Sequence, residues 1–130
     1  MSSIFTKIIT GEIPSYKIAE NDKFLAFLDV FPLVHGHVLV VPKKETDYIF
    51  DIEDADLSEI IVFAKHVSKA IRKAVPCKRI GMSVIGLEVP HAHIHLVPMN
   101  TANDLNFTRE KIKPTQQELS EMAEKIKSNL

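Results

Sequence analysis

Three histidines at alternate positions, His91, His93 and His95, stand in the stretch Pro90–Met99, with Ala92, Ile94, Leu96 and Val97 between and after them. Alternation of period two predicts a half-buried strand over His91–Pro98. Alternate side chains of a strand share a face, so the three imidazoles point the same way, roughly 6.5–7 Å from one to the next. Three imidazoles side by side on an exposed face have no packing rationale. Two chemistries can use them. In the first, neighbouring neutral imidazoles such as His91 and His93 reach one zinc with a third ligand from elsewhere, and Glu88 is a candidate for it. All three rings together span about 13 Å, too far to share one ion. In the second, one imidazole attacks phosphorus while the others give hydrogen bonds and positive charge to the phosphoryl oxygens. Histidine suits that work because it is a nucleophile when neutral and a leaving group when protonated, near physiological pH. Cys77 stands alone and no carboxylate sits inside the row, which favours phosphorus.

The elements that must position this row are legible in order. Ser3 caps a short helix, Ile4–Thr10, with Ile4, Phe5, Ile8 and Ile9 on its apolar side, and Gly11 and Pro14 end it. Tyr16–Ala19 and Phe24–Leu28 read as a hairpin turned at Glu20–Asn21–Asp22. Asp29 closes the second strand, and the third runs from His37 to Val41 after Gly36. A long helix, roughly Asp54–Ala74, buries a face made of Leu57, Ile60, Ile61, Ala64, Val67, Ile71 and Ala74. His66 lies towards its polar side and reads as solvated. Arg79–Ile85 is the fourth strand, and the turn Gly86–Pro90 leads into the histidine row, bringing Gly86 and Glu88 close to it. Thr101–Phe107 reads as a polar loop. Thr115 and Glu118 form a capping box for a last helix whose apolar stripe is Leu119, Met122, Ala123, Ile126 and Leu130.

Composition narrows the function classes. At 130 residues the chain reads as one domain, with about 1–100 as core and 101–130 as a loop and C-terminal helix. Sixteen basic and seventeen acidic side chains nearly cancel, so no nucleic-acid footprint is expected. The longest apolar runs are strand-length, too short to span a bilayer, and Met1–Ile9 lacks the apolar core of a secretory signal. One cysteine excludes an intramolecular disulfide, and the chain reads as cytoplasmic.

His91-Ala-His93-Ile-His95-Leu-Val resembles the signature of the histidine triad (HIT) family, histidine–apolar three times over. The blocks Ile4–Ile9 with Glu12-Ile13-Pro14, Phe24–Asp29, and Gly36-His37 with Leu39–Lys43 resemble the matching family blocks in the same order, so the likeness covers about the first hundred residues. The resemblance implies an α+β fold: an antiparallel sheet of about five strands, one long helix packed on it, and short N-terminal and C-terminal helices. It implies a hydrolase or transferase acting at the α-phosphate of purine nucleotides, such as phosphoramidates and adenylated amines. A dinucleoside polyphosphate hydrolase or a nucleotide-binding module with little turnover are the alternatives. His93 would attack phosphorus and form a nucleotidyl-histidine. His91 and His95 would bind phosphate oxygens and help the leaving group, and His37 would complete the polar network. Asp29 would hold the ribose hydroxyls; Phe5, Ile8, Phe27 and Val30 would wall the base; Gly86 and Glu88 would face the nucleotide from the turn. No cofactor or catalytic metal is implied. A homodimer joined through strand four and part of the long helix is. The chain also departs from the pattern. Leu87 replaces a glutamine, Ile80 replaces an asparagine, and Glu88 stands where serine or threonine often sits. Ser3 and Thr6 occupy positions where some relatives carry a zinc-binding cysteine pair.

Overall fold

The computed structural model describes residues 2–130. Ser3 starts helix α1, Ile4–Ile9, its hydroxyl accepting the Thr6 N–H as an N-cap does. The chain continues through β1 (Lys17–Glu20), β2 (Phe24–Leu28), β3 (Val38–Pro42), a 3-10 turn at Ile49–Asp51, α2 (Asp54–Ala74), β4 (Arg79–Ser83), β5 (Ile94–Met99), a 3-10 turn at Ala102–Leu105 and α3 (Gln116–Lys127). The five strands form one antiparallel sheet in the order β1-β2-β3-β5-β4. Asn21 makes the first hairpin turn, its side-chain oxygen accepting the N–H of Lys23 and Phe24.

Every residue of β2 and β3 is buried, because both faces of the sheet are covered. Phe24, Ala26, Leu28, Val38, Val40, Ile94 and Leu96 face α2 and α3 and meet Ile60, Val67, Ile71, Leu119 and Ile126 there. Burying each of the large aliphatic side chains contributes about 2 kcal/mol. The alternate residues Leu25, Phe27, Leu39 and Val41 face the other way, where Phe5 and Ile8 of α1 cover them. His95 pairs with Leu39 across the ladder and so belongs to this second face. Gly36, at φ 91°, turns the chain into His37; a Cβ there would meet Val75 Cγ2 at 2.9 Å and Pro98 Cγ at 3.2 Å.

Several expectations shift. Ile61 is exposed rather than on the buried face of α2, and Leu130 is exposed beyond the end of α3. The fourth strand ends at Ser83, and a 3-10 turn occupies part of the expected polar loop. The fifth strand begins at Ile94, not His91. His91 N–H bonds back to Val89 O and Ala92 N–H to Thr46 O, so these residues approach the sheet through a bend instead of joining the ladder. The expected exposed face is also absent: His91, His93 and His95 are 0%, 8% and 8% exposed. Phe5 of α1 lies against His91 and His93, and Phe107 lies against His95.

Candidate active site

Four imidazoles gather on the α1 side of the sheet, and their hydrogen bonds fix the proton positions. Leu33 N–H can only donate, so His37 Nδ1, at 3.0 Å, accepts. Its proton is then on Nε2, which donates to His95 Nδ1 at 3.0 Å. His95 in turn carries its proton on Nε2, leaving an outward N–H donor. His93 follows the opposite logic. The His91 carbonyl can only accept, so His93 Nδ1, at 2.8 Å, is protonated and Nε2 keeps a free lone pair. The His93 and His95 rings lie 4.9 Å apart. A nucleophilic nitrogen and an N–H donor thus stand side by side.

His91 plays a different part. Its Nε2–H donates to Pro42 O at 2.7 Å, and its Nδ1 accepts from Ser3 Oγ at 2.7 Å. Both nitrogens are used within the protein, so the expectation that His91 binds phosphate oxygens does not fit its geometry. Asp29 directly follows β2, one carboxylate oxygen accepting Phe31 N–H at 2.9 Å while the other lies 3.7 Å from His37 Nε2. Phe5, Ile8 and Phe27 are buried beneath the site, Phe5 with its ring centroid 4.9 Å from that of His93, and Val30 is exposed in the loop after Asp29. Gly86 and Glu88 sit in the 84–93 connection; among the described residues no hydrogen bond joins either to an imidazole. A groove of about 550 Å³ lined by Lys23, Phe24, Glu59, Phe63 and His66 contains none of the four site histidines.

Burial sets the charge state. It pushes His37 down to about 3 and His95 down to about 4, with neighbouring positive groups adding to the effect. Burial also lowers His91 and raises Asp29. His37 and Asp29 are therefore not an ion pair at neutral pH, despite their closeness. These directions predict a pH dependence of stability. The unfolded chain binds protons on His37 and His95 near pH 6.5, whereas the folded chain binds them only near 3 and 4. The stabilising contribution is complete above about pH 6.5 and is lost as pH falls towards 4. The urea midpoint should accordingly be lower at pH 5 than at pH 7; an equal or higher midpoint at pH 5 would contradict the neutral buried rings.

Asp29, His37 and His95 offer ligand atoms within 4.8 Å of one another, the spacing of a metal site. The donor order opposes that use. His37 Nδ1 already accepts a backbone N–H, so metal binding through Nε2 would require an anionic ring or the loss of that bond. The alternative ligand pair His91 and His93 is opposed for the same reason, since both His91 nitrogens are engaged.

The HIT domain family model matches residues 10–102. The chain belongs to the HIT family. A HIT-like protein of Borreliella burgdorferi is 33% identical over 132 residues, which is 90% of this chain and 95% of that protein. The adenosine 5'-monophosphoramidase of Schizosaccharomyces pombe is 36% identical over 99 residues, 75% of this chain and 74% of that enzyme. A Bartonella henselae HIT-like protein described as involved in cell-cycle regulation superposes with a TM-score of 0.85 at 32% identity, covering 99% of this chain and 97% of its own. The HIT fold expected from the sequence is thereby shown. Among the described residues no helix is long and apolar enough to cross a membrane.

Sequence reasoning missed three contributors. Phe107 lies 4.6 Å from the His95 ring and 6.2 Å from that of His37, yet it stood in a stretch read as a polar loop. Lys111 puts positive charge near Asp29, His37 and His95. Both lie beyond the residues that match the family model, and a lone aromatic in a polar run was the only available signal. Glu45 is the third.

Proposed function

We propose that this HIT protein hydrolyses purine nucleotide derivatives at the α-phosphate, releasing an amine from phosphoramidates or adenylated amines through a nucleotidyl-His93 intermediate. The observation that carries the reading is the free Nε2 lone pair of His93 beside the Nε2–H of His95. In the first step His93 Nε2 bonds to phosphorus, the P–N bond breaks, and its electron pair leaves with the amine, which takes up a proton. In the second, water adds to phosphorus, the N–P bond breaks, a proton is released and AMP departs from neutral His93. His95 N–H, held outward by His37, donates to the phosphoryl oxygen as charge builds there. His91 is assigned to holding the His93 proton on Nδ1 rather than to touching phosphate.

Asp29 is assigned the ribose hydroxyls, since a carboxylate accepts two such bonds and its position beside His37 puts it at the edge of the imidazole cluster. Phe5, Ile8, Phe27 and Val30 are assigned the apolar wall for the base, and Gly86 and Glu88 the nucleotide-facing turn. Asp29→Ala should weaken ribonucleotide affinity by about tenfold while 2′-deoxy analogues lose much less. Equal losses for both would remove Asp29 from the ribose.

The activity test is AMP release from adenosine 5'-phosphoramidate by chelator-treated protein. Release at the untreated rate supports the reading; bound nucleotide without release, or activity abolished by chelator, overturns it. A homodimer is part of the proposal. β4 is an edge strand that leaves Met82 exposed on the α2 face, and Ile61 of α2 and Leu87 of the following connection are exposed too. Sedimentation should give twice the chain mass at micromolar concentration, and a monomer there would rule the dimer out.

A further inference from the structure

A polar chain, exposed at Glu45 and buried at Ser3 and His91, links the start of α1, the end of β3 and the histidine row. Glu45 Oε1 accepts two hydrogen bonds, from Ser3 N–H at 2.6 Å and from the Thr6 hydroxyl at 2.7 Å. Ser3 is thereby held in place, its Oγ accepting Thr6 N–H at 3.0 Å and donating to His91 Nδ1 at 2.7 Å. The far side of the same ring is fixed on Pro42 O. The backbone of that segment is fixed as well, through His91 N–H to Val89 O and Ala92 N–H to Thr46 O. What remains of His91 is its carbonyl, and that carbonyl receives His93 Nδ1–H at 2.8 Å. Ser3 and His91 are 7% and 0% exposed, so water does not readily replace the bond between them, whereas the Glu45 carboxylate stands at the surface.

From this geometry we infer that Glu45 is a positioning residue for His93. Acting through Ser3, Thr6 and His91, it aims the carbonyl that keeps the His93 proton on Nδ1 and so keeps the Nε2 lone pair available. The catalytic meaning of that tautomer rests on the function proposed above; the tautomer itself does not. A carboxylate suits the role because hydrogen bonds to a charged acceptor are about twice as strong as neutral ones. The Ser3 N–H and Thr6 hydroxyl also hold the Glu45 carboxyl well below the usual range, at about 2, so the acceptor stays charged at neutral pH. With the anchor gone, Ser3 and the Nδ1 side of the His91 ring lose their fixed position. The aim of the His91 carbonyl relaxes within what Pro42 O and the Ala92 N–H bond to Thr46 O still impose. His93 can then carry its proton on Nε2 part of the time, where no lone pair is left for phosphorus.

The test pairs kinetics with the nitrogen NMR shifts of the His93 ring in the full chain, using E45A, S3A and E45Q. In E45A and S3A, kcat should fall about 10-fold or more, with KM little changed, by analogy with the outer hydrogen-bond partners that orient metal-binding imidazoles. The His93 nitrogens should move from the Nδ1–H pattern towards a mixture. E45Q, whose amide oxygen still accepts from Ser3 and Thr6, should keep the wild-type tautomer and most of the activity. A wild-type tautomer in E45A overturns the inference whatever S3A shows, even if the melting temperature falls, because that pattern marks a purely structural anchor. Should E45A fail to fold, E45D decides in its place, since its shorter side chain keeps the charge but withdraws the acceptor from the Ser3 N–H and the Thr6 hydroxyl: a shifted tautomer supports the inference and a wild-type one overturns it. If the unaltered protein releases no AMP, the proposed function fails while the ring spectra still decide the role of Glu45.

Discussion

His93→Ala is expected to lower AMP release from adenosine 5'-phosphoramidate by on the order of 10⁴-fold or more, while nucleotide affinity changes little. The reason lies in where the residue acts. His93 contributes a bond to phosphorus that exists only during the chemical step, so its loss falls on kcat and not on ground-state binding. Removing the ring also leaves the His91 carbonyl without its partner, a modest local cost beside the loss of the nucleophile. Rapid-quench kinetics and equilibrium titration with AMP separate the two quantities. Turnover by His93→Ala near the unaltered rate would end the covalent mechanism. Loss of binding together with turnover would mean that His93 chiefly shapes the pocket.

The second large effect belongs to His37, although it need not touch substrate. His37→Leu should lower kcat by on the order of 10²–10³-fold, the range seen when one oxyanion donor is lost. His37 Nε2–H makes His95 Nδ1 an acceptor and thereby turns the His95 N–H outward. Leucine supplies no such proton, so the His95 proton can move to Nδ1 and the outward donor disappears. His37→Gln is the informative companion, because its amide N–H reaches approximately as far as Nε2 of the ring. Glutamine should retain more activity than leucine at comparable folding stability. Equal losses in both would assign His37 to packing, and unaltered kcat in His37→Leu would remove the relay from the mechanism.

Much of the molecule was legible from local pattern. The Ser3 cap, the Asn21 turn, Phe24–Leu28, the long helix over 54–74 and the Thr115 capping box all follow from short-range rules, and each is present. Errors arose where a residue's neighbours come from far along the chain. Ile61 fits the helical period as well as Ile60, but only Ile60 meets the sheet. The alternation of His91, Ala92 and His93 reads as strand, yet Thr46 and Val89 capture the backbone first.

The site divides in the same way. By itself the sequence determined that imidazoles would cluster and that His37 and Asp29 stand at the ends of strands beside them, because side-chain identity and period are local properties; the HIT fold came from the resemblance of its blocks to the family. Tertiary structure alone decided which nitrogen of each ring carries the proton. That depends on whether Leu33 N–H, the His91 carbonyl, Ser3 Oγ or Pro42 O lies within about 3 Å, and each of those distances is a product of packing. It engaged both His91 nitrogens within the protein, left the lone pair on His93, and placed the His95 proton on Nε2. A histidine row names the atoms available for chemistry; the hydrogen bonds that folding imposes on them divide the roles.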